Sequence, residues 1–138
     1  MRIFVIDGQG GGIGRQLVSA IHAINPQLHI HAIGTNSVAT SAMLKVGANS
    51  AATGENAVIV ACRRADVIAG PIGLVIADAL MGEVTPAMAK AIGQSAARRI
   101  LIPTGHCDTI VAGVTDGSIG TLVRLAADAV IAQTRSEG

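Results

Sequence analysis

Four consecutive apolar residues, Ile3-Phe4-Val5-Ile6, run straight into Asp7-Gly8-Gln9-Gly10-Gly11-Gly12-Ile13-Gly14. From Ile13 onward, Leu17, Ala20, Ile21 and Ile24 recur at helical spacing until Asn25-Pro26 ends the pattern. A buried strand, a glycine loop and a helix start in immediate succession restrict the chain to α/β architectures. The same order builds an anion cradle, because glycines let backbone N–H groups approach a phosphate and the helix dipole favours negative charge there. Residues Asp7, Gly8, Gln9, Gly10, Gly11, Gly12, Ile13 and Gly14 are therefore the first candidates for holding a small-molecule nucleotide.

The rest of the chain alternates in the same manner. Leu28 to Ile33 reads as a second strand with Leu28, Ile30 and Ala32 on one face and His29, His31 and Ile33 on the other. A face that polar predicts a position at or near the sheet edge. Gly34-Thr35-Asn36-Ser37 turns into a helix over about Val38 to Val46, capped by Asn36 or Ser37 and closed by Gly47. Ala48 to Ala52 is expected as a connection, Glu55 to Arg64 as a helix and Asp66 to Gly70 as the third strand. Leu74 to Met81 is expected as a helix starting at the Pro71-Ile72-Gly73 turn. Thr85-Pro86 opens another, reaching about Ser95. Arg99 to Pro103 and Ile110 to Val114 supply strands four and five. Asp116-Gly117-Ser118 caps a closing helix whose inward residues are Leu122, Leu125 or Ala126, Ala129 and Val130. The expected fold is a single three-layer Rossmann-like α/β domain of about five parallel strands. Right-handed crossovers favour the order 2-1-3-4-5 over 3-2-1-4-5, given the polar second strand. That order sets Gly8 to Gly14 beside Gly70, Pro71, Ile72 and Gly73, which join the candidate site.

Composition excludes several functions. One Phe, no Trp or Tyr and a net charge of +1 argue against nucleic acid, which calls for a basic face and stacking rings. No apolar run approaches the roughly 18 residues of a membrane span, and no basic, cleavable leader opens the chain, so a cytoplasmic protein is expected. Cys62 and Cys107 lack CxxC spacing and are read as free thiols. Half the residues are hydrophobic, so part of the apolar surface is expected in a homo-oligomer contact.

The glycine spacing is G-x-x-x-G-x-G, carried by Gly8, Gly12, Ile13 and Gly14. It resembles the cofactor loop of short-chain dehydrogenases, and Asp66-Val67-Ile68-Ala69-Gly70 resembles the strand lining their nicotinamide side. The resemblance implies NAD or NADP as ligand. It does not extend to catalysis: those enzymes use a Tyr and a Lys four residues apart, and this chain has no Tyr. The ribose-binding acid expected after strand two is also missing; Thr35, Asn36 and Ser37 stand there, neutral residues that tolerate a 2′-phosphate better than a carboxylate would. Asp7 replaces the usual Thr. Its charge repels phosphate unless a divalent cation bridges the two or the carboxylate caps the loop's own N–H groups. Over nearly the whole chain, the strings IDGQGGGIG, GTNSVATSAMLKVGAN, ATGENA, AGPIG, GEVTPAMA and ILIP resemble a family of small bacterial proteins known only as a domain of unknown function.

Other chemistry-bearing residues are fewer. His106 and Cys107, after strand four, form a base and nucleophile pair in sequence. His29 and His31 share a strand face without an evident third metal ligand, so no metal site is assigned. Asp78 inside an apolar run would, if buried, be an acid or base candidate. Glu55 and Glu83 read as ordinary first-turn or loop charges. Three functions fit: nucleotide or dinucleotide binding, NAD(P) first, with the reaction unassigned; a non-enzymatic ligand sensor or partner subunit; and Mg-dependent phosphate chemistry using Asp7.

Overall fold

Strand β1 (Ile3–Asp7) is buried along its full length because its two faces meet different helical layers. Ile3 and Val5 pack with Leu17, Val18 and Ile21 of α1 (Gly12–Ile24), whereas Phe4 and Ile6 join Val58, Leu74 and Met88 on the opposite side. The computed structural model describes residues 1–103, 108–114 and 117–135. In order, the remaining elements are β2 (Ile30–Gly34), α2 (Ser37–Lys45), β3 (Ser50–Thr53), α3 (Glu55–Arg64), β4 (Val67–Pro71), a 3-10 turn (Ile72–Val75), α4 (Pro86–Gln94), β5 (Arg98–Ile102) and α5 (Ile119–Arg135). All five strands are parallel, in the order β3-β2-β1-β4-β5. The core residues of α1, α2 and α5 meet one face of the sheet and those of α3, the 3-10 turn and α4 the other, giving an α/β/α Rossmann-like domain.

The expected strands at Ile3, Leu28, Asp66 and Arg99 keep their expected mutual order, but the fifth strand lies elsewhere. Ser50–Thr53, expected as a connection, pairs with β2 from His31↔Ser50 to Gly34↔Thr53 and becomes the edge strand. The full order is thus 3-2-1-4-5 rather than 2-1-3-4-5, and β2 is interior. Ser, Ala, Ala and Thr carry almost no apolar pattern, and this strand is held by its backbone ladder, with most of its side chains exposed. Conversely Ile110 to Val114, β-branched enough to suggest a strand, does not reach the sheet: Ile110 is 96% exposed and Gly113 is left-handed at φ 85°.

Leu74 to Met81 is not a helix either. After one 3-10 turn, Asp78, Leu80, Met81 and Gly82 all take positive φ, and the segment doubles back through Asp78 N–H to Val84 C=O (2.7 Å) and Val84 N–H to Ala79 C=O (3.1 Å). In α5 the buried residues are Val123, Ala126, Ala127, Val130 and Ile131; Leu125 faces solvent. The Asn36 and Thr85 caps stand as expected, accepting from the Ala39 and Met88 amides.

Candidate functional site

The register Asp7↔Gly34 ends β1 and β2 side by side, and β1 pairs on its other flank with β4. The sheet order reverses direction between β1 and β4, so the loop after β1 opens at the switch point where α/β sheets form a crevice. A cleft of about 270 Å³ lies there, lined by Asp7, residues 8–13, Gln16, Pro71, Leu80 and Ile119. Of the four residues expected from the β4 turn, only Pro71 lines it. Gly70 serves packing: a Cβ there would drive into the Ile6 carbonyl oxygen of β1.

Asp7 is 4% exposed and turns its carboxylate back into the loop. Its Oδ1 accepts the Gly8 amide at 2.8 Å and its Oδ2 the Gly14 amide at 2.7 Å, so the chain caps its own helix N-terminus with an internal anion. Burial pushes the Asp7 pKa above the ordinary carboxylate value; the Gly14, Gly8 and Ile13 amides oppose this, and the charge of Glu83 adds to it. Of the two roles the sequence left open for Asp7, the carboxylate takes the capping one.

The loop glycines divide by what their missing side chains permit. A Cβ on Gly8 would meet Thr35 Oγ1 at 2.7 Å and Leu80 at 2.8 Å; on Gly14, Met43 Sδ at 2.6 Å. Gly11 is left-handed at φ 73°, with the Ala39 backbone 2.8 Å from where its Cβ would stand. Gly11 and Gly14 are required by packing against α2 and β1, and Gly8 by Thr35 and the turn before α4. Gly10 and Gly12 are different, since nothing lies within 4 Å of a Cβ at either and both are exposed. Their amides have no partner among the described residues, while those of Gly8, Gln9, Gly11 and Gly14 are engaged.

Glu83, which sequence reasoning set aside, closes the other end of the loop. Its Oε1 accepts the Gln9 amide (2.9 Å), the Thr35 hydroxyl (2.7 Å) and the Asn36 side-chain amide (2.7 Å). Burial pushes this carboxyl up, but the bonds from Thr35, Gln9 and Asn36 outweigh it and hold the pKa below its ordinary value. Thr35 and Asn36 thus sit beside the loop, with these donors directed at Glu83. Ser37 faces a separate hollow with Arg15, Ser41 and Lys45. No local pattern marks Glu83, because it comes from 48 residues beyond Thr35 through the turn before α4.

The remaining candidates do not join this site. Asp78 is exposed. His31 stacks on Phe4 and bonds Ser50 Oγ, and burial, His29 and Arg2 push its imidazole below the usual value. Among the described residues no three His, Cys, Asp or Glu groups cluster as a metal site. Cys62 is free and buried, and burial pushes its thiol pKa up. His106 and Cys107 lie outside the described residues. No helix among the described residues is long and apolar enough to cross a membrane.

A family model described as "Domain of unknown function (DUF3842)" matches residues 2–135. The chain belongs to that family. No curated protein matches it by sequence. Among solved structures it is similar to a dodecameric FMN-dependent UbiX-like decarboxylase from Escherichia coli O157:H7, at 16% identity over 92% of this chain and 75% of that one, with a TM-score of 0.44. A likeness this distant says nothing of ligand or reaction. For this member of the family, the chemistry legible in the site is two free N–H donors at a helix start, flanked by two carboxylates and a small cleft.

Proposed function

We propose that the cleft after β1 binds a nucleotide, with NAD or NADP the first candidates, through the amides of Gly10 and Gly12. One observation carries the reading. Gly10 and Gly12 have room for a side chain, yet the loop keeps them bare, exposed and with unpartnered N–H groups at the start of a 13-residue helix. The cleft, at about 270 Å³, suits part of a nucleotide rather than a whole dinucleotide, so an NAD(P) ligand would extend beyond it along the loop. Asp7, Gly8, Gln9, Gly11 and Ile13 shape this floor, Thr35 and Asn36 stand on the β2 side, and Pro71 on the β4 side. Two residues of the cleft, Gln9 and Leu80, hold positive φ, and such strain clusters at ligand sites.

Thermal-shift measurement with NAD, NADP, FMN, ATP and sugar phosphates, with and without Mg²⁺, tests the reading. Stabilisation by a nucleotide is the expected result; none from any of them would remove it. Dependence on Mg²⁺ would instead favour metal-assisted phosphate chemistry at Asp7.

A second reading, a non-enzymatic sensor or partner subunit that self-associates, is favoured by apolar side chains left outside the core. Met81 is 95% exposed, and Ile110, Val114 and Leu125 are also uncovered. Sedimentation with and without nucleotide distinguishes a ligand-linked oligomer from a constant monomer.

A further inference from the structure

The end of β2 has no acid of its own, but a carboxylate stands there all the same. Thr35 N–H bonds the Asp7 carbonyl at 2.9 Å, which holds the tips of β1 and β2 together, and Glu83 reaches over both. All three donors gathered at this corner, the Gln9 amide, the Thr35 hydroxyl and the Asn36 side-chain amide, converge on Glu83 Oε1. Asn36 is further fixed because the same amide group bonds the Gln9 carbonyl at 2.9 Å while its Oδ1 caps α2. The second oxygen, Oε2, accepts nothing from the described residues.

We infer that Glu83 makes the site selective for nucleotides whose ribose hydroxyls are free, over those carrying a 2′-phosphate. The inference rests on nucleotide binding at the glycine loop. A ribose hydroxyl donates to a carboxylate oxygen, and Oε2 has no donor among the described residues. A 2′-phosphate offers only acceptors and negative charge; at this corner it would find the Gln9, Thr35 and Asn36 donors already engaged and an anion among them. Parallel-sheet nucleotide sites place such an acid at the end of the second strand, about 20 residues after the glycine loop. Here the turn before α4 delivers it across space, so the neutral Thr35-Asn36-Ser37 sequence is misleading as a sign of tolerance for phosphate. The basic residues of the neighbourhood, Arg15 and Lys45, line the separate hollow with Ser37 and Ser41.

Calorimetric titration with two ligand pairs tests this: NAD against NADP, and 5′-AMP against adenosine 2′,5′-bisphosphate. The wild-type protein is expected to bind the free-hydroxyl member about tenfold or more tightly, a difference of about 1.4 kcal/mol. Glu83→Gln should bring each pair to within about threefold, chiefly by gaining the 2′-phosphorylated member. Thr35→Val, which removes one donor and keeps the charge, should preserve the preference and so separates charge from loop order. Equal binding of a pair by the wild type, preference for the 2′-phosphate through the Arg15 and Lys45 hollow, or an unchanged ratio in Glu83→Gln would overturn the inference while leaving nucleotide binding intact. Absence of binding by all four ligands would overturn the underlying reading and this one with it. Far-UV circular dichroism on each variant confirms that the comparison is made on folded protein.

Discussion

The Asp7 carboxylate and the Gly14 amide, seven residues apart, meet at 2.7 Å at the mouth of α1. That bond caps the start of α1 from within the chain and leaves the Gly10 and Gly12 amides without a partner among the described residues. Its pH dependence has a definite sign. Because burial raises the folded pKa of Asp7 above 3.8, the native state takes up protons more readily than the unfolded chain. Its contribution to stability is therefore greatest at low pH and declines as pH rises from the ordinary value through the raised one. Glu83 acts oppositely: its folded pKa is lowered from 4.5, so its contribution is present above that value and is lost as pH falls through the folded pKa. In Asp7→Asn the decline with rising pH should disappear. One loop amide would also face an NH2 group instead of an oxygen, costing about 1–3 kcal/mol at neutral pH. Urea unfolding between pH 3.5 and 7 measures both; an unchanged pH slope would remove Asp7 as its source.

Gly11 and Gly12 are adjacent and should respond in opposite ways. A valine at Gly12 stands in open space at the first turn of α1, so Gly12→Val is expected to stay folded and lose nucleotide binding by tenfold or more. Gly11→Ala meets the Ala39 backbone at 2.8 Å from a left-handed position and should lose about 1–3 kcal/mol of stability. Urea midpoints and thermal shifts on the pair decide whether the loop is divided between packing and binding; unchanged binding in Gly12→Val would move the ligand elsewhere.

The turn before α4 offers a second paired contrast. Leu80 and Met81 share φ 56°, a region costly to residues with a Cβ. Met81 is 95% exposed and Leu80 only 9%. Replacing Met81 with Gly should therefore raise stability by about 0.5–1 kcal/mol through relief of strain. Replacing Leu80 with Gly should lower it, because the loss of a buried side chain exceeds the relief. If Met81→Gly lowers the urea midpoint, the side chain makes a contact that the monomer does not show, consistent with self-association.

Gly70 tests the sheet itself. The Gly70→Ala methyl would enter the Ile6 carbonyl where β1 and β4 lie together, so a loss of about 3 kcal/mol or more is expected. Far-UV circular dichroism should show a lowered melting temperature or no folded protein. A near-neutral result would mean that β4 can shift away from β1.

What the sequence determined by itself was whatever depends on neighbours along the chain. Apolar spacing placed α1 and β1, and α3 is legible as a helix only because a strand-like segment follows it. Asn36 and Thr85 announced their helices because a cap bonds within three residues of itself. The alternation of elements required a parallel α/β sheet, and glycine spacing marked the loop. Tertiary structure alone decided the rest. β3 has too little apolar pattern to be read locally and exists through backbone pairing with β2. Ile110 to Val114 has strand-like residues but does not pair with the sheet. The turn at 76–84 is held by its own backbone bonds against the helical preference of Leu74 to Met81. Most of all, Glu83 gains its place from a fold that brings it to Gln9, Thr35 and Asn36 across 74, 48 and 47 residues. A carboxylate's meaning depends on the donors around it, and those donors are assembled only when the sheet is.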